Sequence, residues 1–166
     1  MEEMRMDEDK LRTIESIMVR DVITFSRDTP VLEVAKRMVK EQISCVVVSD
    51  DKKPVGIVTE RDLIDRVIVH KRDIEETKME DIMTHPVMTI TPDDEIVPVG
   101  ESMKKKHVRR FPVVNDKGEL VGLVTETDVL EGIIRLVKHL DWQLIKTKIT
   151  VEEYINKLRE AKILNE

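Results

Sequence analysis

The sequence predicts an α+β fold: two tandem copies of one β-α-β-β-α unit, with helical N- and C-terminal extensions. Three observations predict it. The stretch Gly56-Ile57-Val58-Thr59-Glu60-Arg61-Asp62 returns as Gly122-Leu123-Val124-Thr125-Glu126-Thr127-Asp128. The apolar pattern around it returns at an offset of 65 residues, which becomes 66 after a hairpin with one extra residue. Strand-like apolar runs and helix-like stripes also alternate in the same order in both copies.

Residues 1–12 are the N-terminal extension; the chain is charged to about residue 16, and Leu11, Ile14 and Ile17 are spaced for one face of a short helix that runs on from it. The first copy occupies 13–70. Its lead-in, Thr13 to Met18, precedes a strand over 22–25. Thr29-Pro30 predicts a helix start, with a capping hydroxyl and proline at the first helical position. Val31, Val34, Ala35 and Met38 form that helix's apolar stripe. A buried-type strand over 43–48, a turn over 50–54 and a strand over 55–59 follow. The unit closes with a helix carrying Leu63, Ile64, Val67 and Ile68. Residues 71–77, mostly charged, link the copies.

The second copy, 78–135, repeats the script: lead-in at 78–83, strand at 87–90, helix stripe Ile96, Val99, Gly100 and Met103, and strand at 108–114. Its hairpin, Asn115-Asp116-Lys117-Gly118, holds the extra residue, and a hairpin tip is where an insertion is tolerated. The closing helix carries Val129, Leu130, Ile133 and Ile134. In the C-terminal extension, 136–166, Leu136, Val137, Leu140, Leu144 and Ile145 continue that helix. Thr150-Val151-Glu152-Glu153 reads as a capping box for a last helix with Val151, Ile155 and Leu158 on one stripe.

The 166 residues suit one domain or two small ones; a single copy buries only a marginal core, so the two are expected to fold against each other. With 37% charged and 40% hydrophobic residues the chain is expected to fold rather than stay disordered. A net charge of −6 and an aromatic content of 2% argue against nucleic acid as a partner, because little is left to stack on bases. The charged run Lys104 to Arg110 is the one basic stretch that favours it, and the three lysines suit a solvated helix C-terminus. Cys45 is the sole cysteine, so no intramolecular disulfide is possible. The charged N-terminus has no leader character, and no apolar run reaches membrane-spanning length. A cytoplasmic location away from membranes is the expectation. His70, His85, His107 and His139 lack metal-ligand spacing, and neither a nucleophile–base pattern nor a Walker-type loop is present. The chain is therefore expected not to be an enzyme and to carry no cofactor or metal.

Chemistry concentrates at the two strand-to-helix turns. A strand that hands over directly to a helix aims the first helical N–H groups beyond the strand end, which favours anions. Thr59 with Asp62, and Thr125 with Asp128, fit two roles. The spacing is that of a helix cap. A hydroxyl at a helix start can also join backbone N–H groups in binding an anion such as phosphate, and a carboxylate can accept from a pair of hydroxyls such as those of a ribose.

These residues carry a resemblance. Two copies, each opening Ile-Met (Ile17-Met18, Ile82-Met83) and ending Gly-hydrophobic-Val-Thr-x-x-Asp, resemble a pair of CBS domains, the Bateman module, over roughly 13–135. The resemblance implies units packed through their sheets, binding AMP, ADP, ATP or S-adenosylmethionine-like ligands in clefts between them. It implies a regulatory module that signals to a partner protein, the Asp holding the ribose and the Thr lying near phosphate. One cleft would then join Leu123, Thr125 and Asp128 to Met18, Ile23, Ile43 and Ser44. Its mirror would join Ile57, Thr59 and Asp62 to Met83, Met88, Val108 and Arg109. The methionines equally suit ordinary core filling.

A basic residue at the position of Arg110 contacts phosphate in the family, whereas the first copy has Cys45 there. The two sites are therefore expected to be unequal, the Arg110 site taking the more charged ligand. Arg61, where the second copy has Thr127, or Arg109 are the alternative cations for the first turn. A homodimer is expected, burying the stripes Leu63, Val67, Val129 and Ile133; burial within one chain is the alternative. The rival functions are an assembly module with vestigial clefts and a nucleic-acid-binding regulator.

Overall fold

The computed structural model describes residues 10–147, 151–161 and 163. The start of the N-terminal extension and the cap predicted at Thr150 lie outside them. The elements are β1 (Thr24–Phe25), α1 (Val31–Glu41), β2 (Cys45–Asp50), β3 (Lys53–Thr59), α2 (Glu60–Asp62), α3 (Met79–Ile82), α4 (Ile96–Lys106), β4 (Arg110–Val114), β5 (Leu120–Thr125), α5 (Glu126–Thr147) and α6 (Val151–Glu160). A 3₁₀ turn, Ile14–Ser16, begins the first copy, and α2 continues as a π-helix over Leu63–Ile68. The mixed α+β class and the repeated order are those the sequence predicts.

Local differences have local causes. The strand expected at 22–25 shortens to two residues, and its counterpart at 87–90 reduces to a single parallel bridge from Ile90 to Val113. Met88 and Thr89 of the second stretch are exposed, whereas Ile23 and Phe25 of the first pack half-buried against the core without longer pairing. Helix α1 starts one residue later than expected: Pro30 is its N-cap and no side chain caps it, because the Thr29 hydroxyl bonds Ser26 at 3.0 Å. The neighbouring Asp28 carboxyl, accepting from the Ser26 hydroxyl at 2.6 Å, is held below the usual carboxylate range. Helices α1 and α4 end alike, with Gln42 and His107 left-handed at φ 54°. The next N–H groups, of Ile43 and Val108, return to Met38 and Met103 at 3.0 Å, satisfying carbonyls the helix leaves over.

Strand β1 pairs in parallel with β2, and β2 pairs antiparallel with β3 through a two-residue turn at Asp51 and Lys52, both at positive φ. Such a turn matches the twist of the strands it joins. Strands β4 and β5 form the second hairpin, whose turn holds Gly118 at φ 75°.

The chain divides into two compact units that do not coincide with the two copies. One comprises Met1–Met18, Thr91–Arg110 and Val124–Glu166; the other comprises Val19–Ile90 and Phe111–Leu123. Backbone hydrogen bonds explain the division. In the first unit, Ile14 and Glu15 N–H donate to the carbonyls of Asp94 and Pro92 (both 2.9 Å), and Ile96 N–H donates to Arg12 (2.8 Å). In the second, Met79 and Glu80 donate to Thr29 and Arg27 (both 3.0 Å), and Val31 donates to Thr77 (2.9 Å). The two sets are equivalent, 65 residues apart. Each copy's lead-in thus docks on the helix start of the other copy.

Burial follows the same exchange. In the second unit, Met79, Ile82 and Met83 of the second copy join Val31, Val34, Met38, Val46, Val48, Val58 and Val67 of the first in one core. In the first unit, Ile14 is buried along with Ile96, Val99, Met103, Val129 and Leu136. Burying a side chain of this size stabilises by about 1.5–3 kcal/mol.

Candidate functional site

At the first turn, β3 ends at Thr59 and the helix begins at Glu60. Asp62 Oδ2 accepts from the Thr59 N–H at 2.8 Å and from the Thr59 hydroxyl at 2.6 Å, and the Asp62 N–H returns to Thr59 Oγ1 at 3.4 Å. The second turn copies it: Asp128 Oδ2 accepts from Thr125 N–H and hydroxyl, both at 2.7 Å, and Asp128 N–H reaches Thr125 Oγ1 at 3.4 Å. The first helical N–H is occupied in both: Glu60 donates to the Ser44 carbonyl at 3.2 Å and Glu126 to the Arg109 carbonyl at 3.0 Å.

These contacts correct the anion-site expectation in one respect. A threonine hydroxyl has one proton, and here the carboxylate holds it. The first N–H is committed as well. What each turn presents outward is a fixed carboxylate rather than a cluster of free donors, and a carboxylate suits hydroxyls, not phosphate.

The turns differ in what meets the other carboxylate oxygen. Asp62 Oδ1 lies 3.1 Å from Arg66 Nη2, with the Asp62 side chain only 12% exposed. The same guanidinium donates to the Ile82 carbonyl and, at 3.0 Å, to the Thr84 hydroxyl. The position equivalent to Arg66 is Gly132. A Cβ there would sit 2.9 Å from Ile17 Cγ2 and 3.1 Å from Ile96 Cδ1. Among the described residues Asp128 Oδ1 has no partner. The sequence reading passed over Arg66 and Gly132; comparing the copies position by position would have flagged them.

The other predicted site residues are distributed as follows. Met83 is 6% exposed and packs over Gly56, where a Cβ would be 2.5 Å from its Sδ; it belongs to the core. Ile23 and Ile43 are half-buried against the same core. Ile57 is half-buried and bridges to Thr84, as Leu123 bridges to Val19. Ser44, Arg61 and Arg109 are exposed, as is Met88; Val108 is half-buried and Met18 buried. Arg110 opens β4 half-buried, while Arg109 stays outside the strand; Cys45 opens β2 buried. Each predicted cleft draws members from both units: Met18, Thr125 and Asp128 belong to one, Ile23, Ile43, Ser44 and Leu123 to the other. Ile57, Thr59, Asp62, Met83 and Met88 likewise belong to one, Val108 and Arg109 to the other.

An open groove of about 380 Å³ adjoins Ile23 and carries Lys36, Arg37 and Lys40 from α1, with Glu33 opposing them. Among the described residues no group of three His, Cys, Asp or Glu side chains is placed to hold a metal, and no helix is long and apolar enough to cross a membrane.

Comparison with known proteins places this geometry in a class, a pair of CBS domains: the sequence profile of the CBS domain matches residues 14–74 and 79–135. The chain belongs to the CBS-domain family. It is similar to the uncharacterized protein MK0525 of Methanopyrus kandleri, 38% identical over 128 residues, covering 76% of this chain and 65% of that one. It also resembles the uncharacterized protein MJ1426 of Methanocaldococcus jannaschii, 29% identical over 157 residues, covering 75% and 93%. Among solved structures, the CBS domain pair of protein MJ0100 in complex with 5′-methylthioadenosine and S-adenosyl-L-methionine matches with a TM-score of 0.63 at 29% identity, covering 72% of this chain and 93% of that one.

Proposed function

We propose that the chain senses an adenosine-containing ligand and passes its occupancy to a partner protein. The observation that carries this reading is Asp128: one carboxylate oxygen is pinned by Thr125 and the other is open. A pre-oriented carboxylate with a free oxygen suits the vicinal hydroxyls of a ribose. The adenosine ligands of the MJ0100 pair support the same ligand class. Signalling is a population shift, the ligand favouring one arrangement of the chain that a partner reads. Among ligands, Arg110 favours a phosphorylated one at its site, since a guanidinium grips phosphate bidentately where Cys45 offers almost nothing.

The test is calorimetry and thermal shift with AMP, ADP, ATP, S-adenosylmethionine and methylthioadenosine. A true ligand at 100 times its Kd adds about 2.7 kcal/mol of stability. Asp128→Ala is expected to weaken binding by roughly 1.5–3 kcal/mol while destabilising the fold by only about 1 kcal/mol. Arg110→Ala is expected to lose affinity for AMP and ATP. If none of the five compounds shifts the transition, the sensor reading fails.

The protein is further proposed to be a homodimer, through residues other than those the sequence suggested. Val67 and Val129 are 2% and 5% exposed, and Leu63 and Ile133 are half-buried, so those stripes already serve the chain's own packing. Their neighbours Ile64, Ile68, Leu130 and Ile134 are 56%, 66%, 57% and 45% exposed, at equivalent positions of the two copies.

A further inference from the structure

The two Thr–Asp turns agree in every contact of Oδ2, yet Oδ1 is bonded in one and open in the other. Arg66 stands four residues beyond Asp62 and reaches back to Oδ1 at 3.1 Å. It is itself held on two further sides, by the Ile82 carbonyl and the Thr84 hydroxyl. Thr84 is anchored in turn, exchanging backbone hydrogen bonds with Ile57 at 2.9 and 3.2 Å. The guanidinium is therefore part of a three-point fixture rather than a loose surface pair.

The second turn cannot build this fixture. Its equivalent position is Gly132, and even a methyl group there would meet Ile17 and Ile96 at 2.9 and 3.1 Å. Core packing excludes a side chain, so no cation reaches Asp128 from that position.

We infer that Arg66 withholds Asp62 from ligand, so that the chain takes one adenosine ligand, on the Thr125–Asp128 turn, and Arg66 sets that number. The inference rests on the sensor reading above and adds its stoichiometry. A ribose offers two donors to a carboxylate, and they need open lone pairs. Asp128 supplies them at once. Asp62 must first surrender a charge-assisted bond, and its release would also cost Arg66 the geometry it shares with Ile82 and Thr84.

Calorimetry with 5′-methylthioadenosine tests this, because that compound has the ribose hydroxyls but no phosphate to draw Arg66 away. The wild type is expected to bind one equivalent per chain. Asp128→Asn should weaken that event at least tenfold, while Asp62→Asn leaves it within twofold. Arg66→Gln, which keeps the stem and removes the charge, should raise the stoichiometry to two, and adding Asp62→Asn should return it to one. Arg66→Lys, able to keep the ion pair, should remain at one and controls for damage to the fold. Two equivalents in the wild type, or one equivalent unchanged by Arg66→Gln, would overturn the role of Arg66 alone. No binding by wild type or Arg66→Gln of this compound, AMP or S-adenosylmethionine would instead overturn the sensor reading beneath it.

Discussion

Gly132 shows how one residue separates two copies that otherwise obey the same rules. A helix interior prefers alanine to glycine by about 1 kcal/mol. Gly132→Ala meets two side chains at 2.9 and 3.1 Å, both from buried or half-buried residues. Overpacking of this kind costs about 1–3 kcal/mol and outweighs the propensity gain. Gly100→Ala meets a single methyl, Val129 Cγ1, at 2.9 Å, which leaves relaxation easier. Urea denaturation is expected to show Gly132→Ala less stable than wild type and Gly100→Ala close to it; the reverse order would refute this account of the packing. At this scale the Thr–Asp turns were legible, because their spacing is a local signature. Arg66 was not: in sequence it is an ordinary charge four residues from an aspartate, a common helix-surface pair. What gives it weight is Ile82 and Thr84, 16 and 18 residues away.

Among elements, the helices after the two turns matter most. The apolar pairs Leu63-Ile64 and Val67-Ile68 place two hydrophobic residues side by side, about 100° apart around a helix. Periodicity identifies such a segment as amphipathic but not which member of each pair faces inward, and Val67 and Val129, expected on the exposed stripe, are buried. The π-helical stretch adds to the difficulty, since its turns are wider than the spacing rule assumes. With Val67 and Val129 inside, Ile64 and Leu130 are the exposed members, which the proposed homodimer would cover. Ile64→Glu combined with Leu130→Glu is expected to leave the fold intact and convert a dimer to a monomer, since both sites are already more than half exposed. Light scattering at micromolar concentration decides, and a wild-type monomer or an unaffected dimer would contradict the assignment. Shorter strands at 24–25 and near Ile90 have a related cause: apolar residues announce strand character, while the length of pairing depends on what lies alongside.

For the molecule as a whole, the repeat was legible and the exchange between copies was not. Self-similarity reports that two segments do the same thing; it is silent on whether each does it for itself or for the other. The backbone answers: the Ile14 and Glu15 bonds to Asp94 and Pro92, and the matching Met79 and Glu80 bonds to Thr29 and Arg27, hand each lead-in across. Neither copy is then a self-sufficient folding unit. The peptide link over 71–77 contributes the Thr77 carbonyl to this docking and also holds the two halves at a local concentration of roughly millimolar order. Fragments 1–71 and 72–166 are expected to melt without cooperativity when separate, and to regain the full-length circular dichroism spectrum and coelute when mixed. A cooperative transition in either fragment as a monomer would refute this. If the halves do complement each other, a single ancestral copy could have folded only by embracing a twin, and gene duplication would have turned that partnership between molecules into one within a single chain.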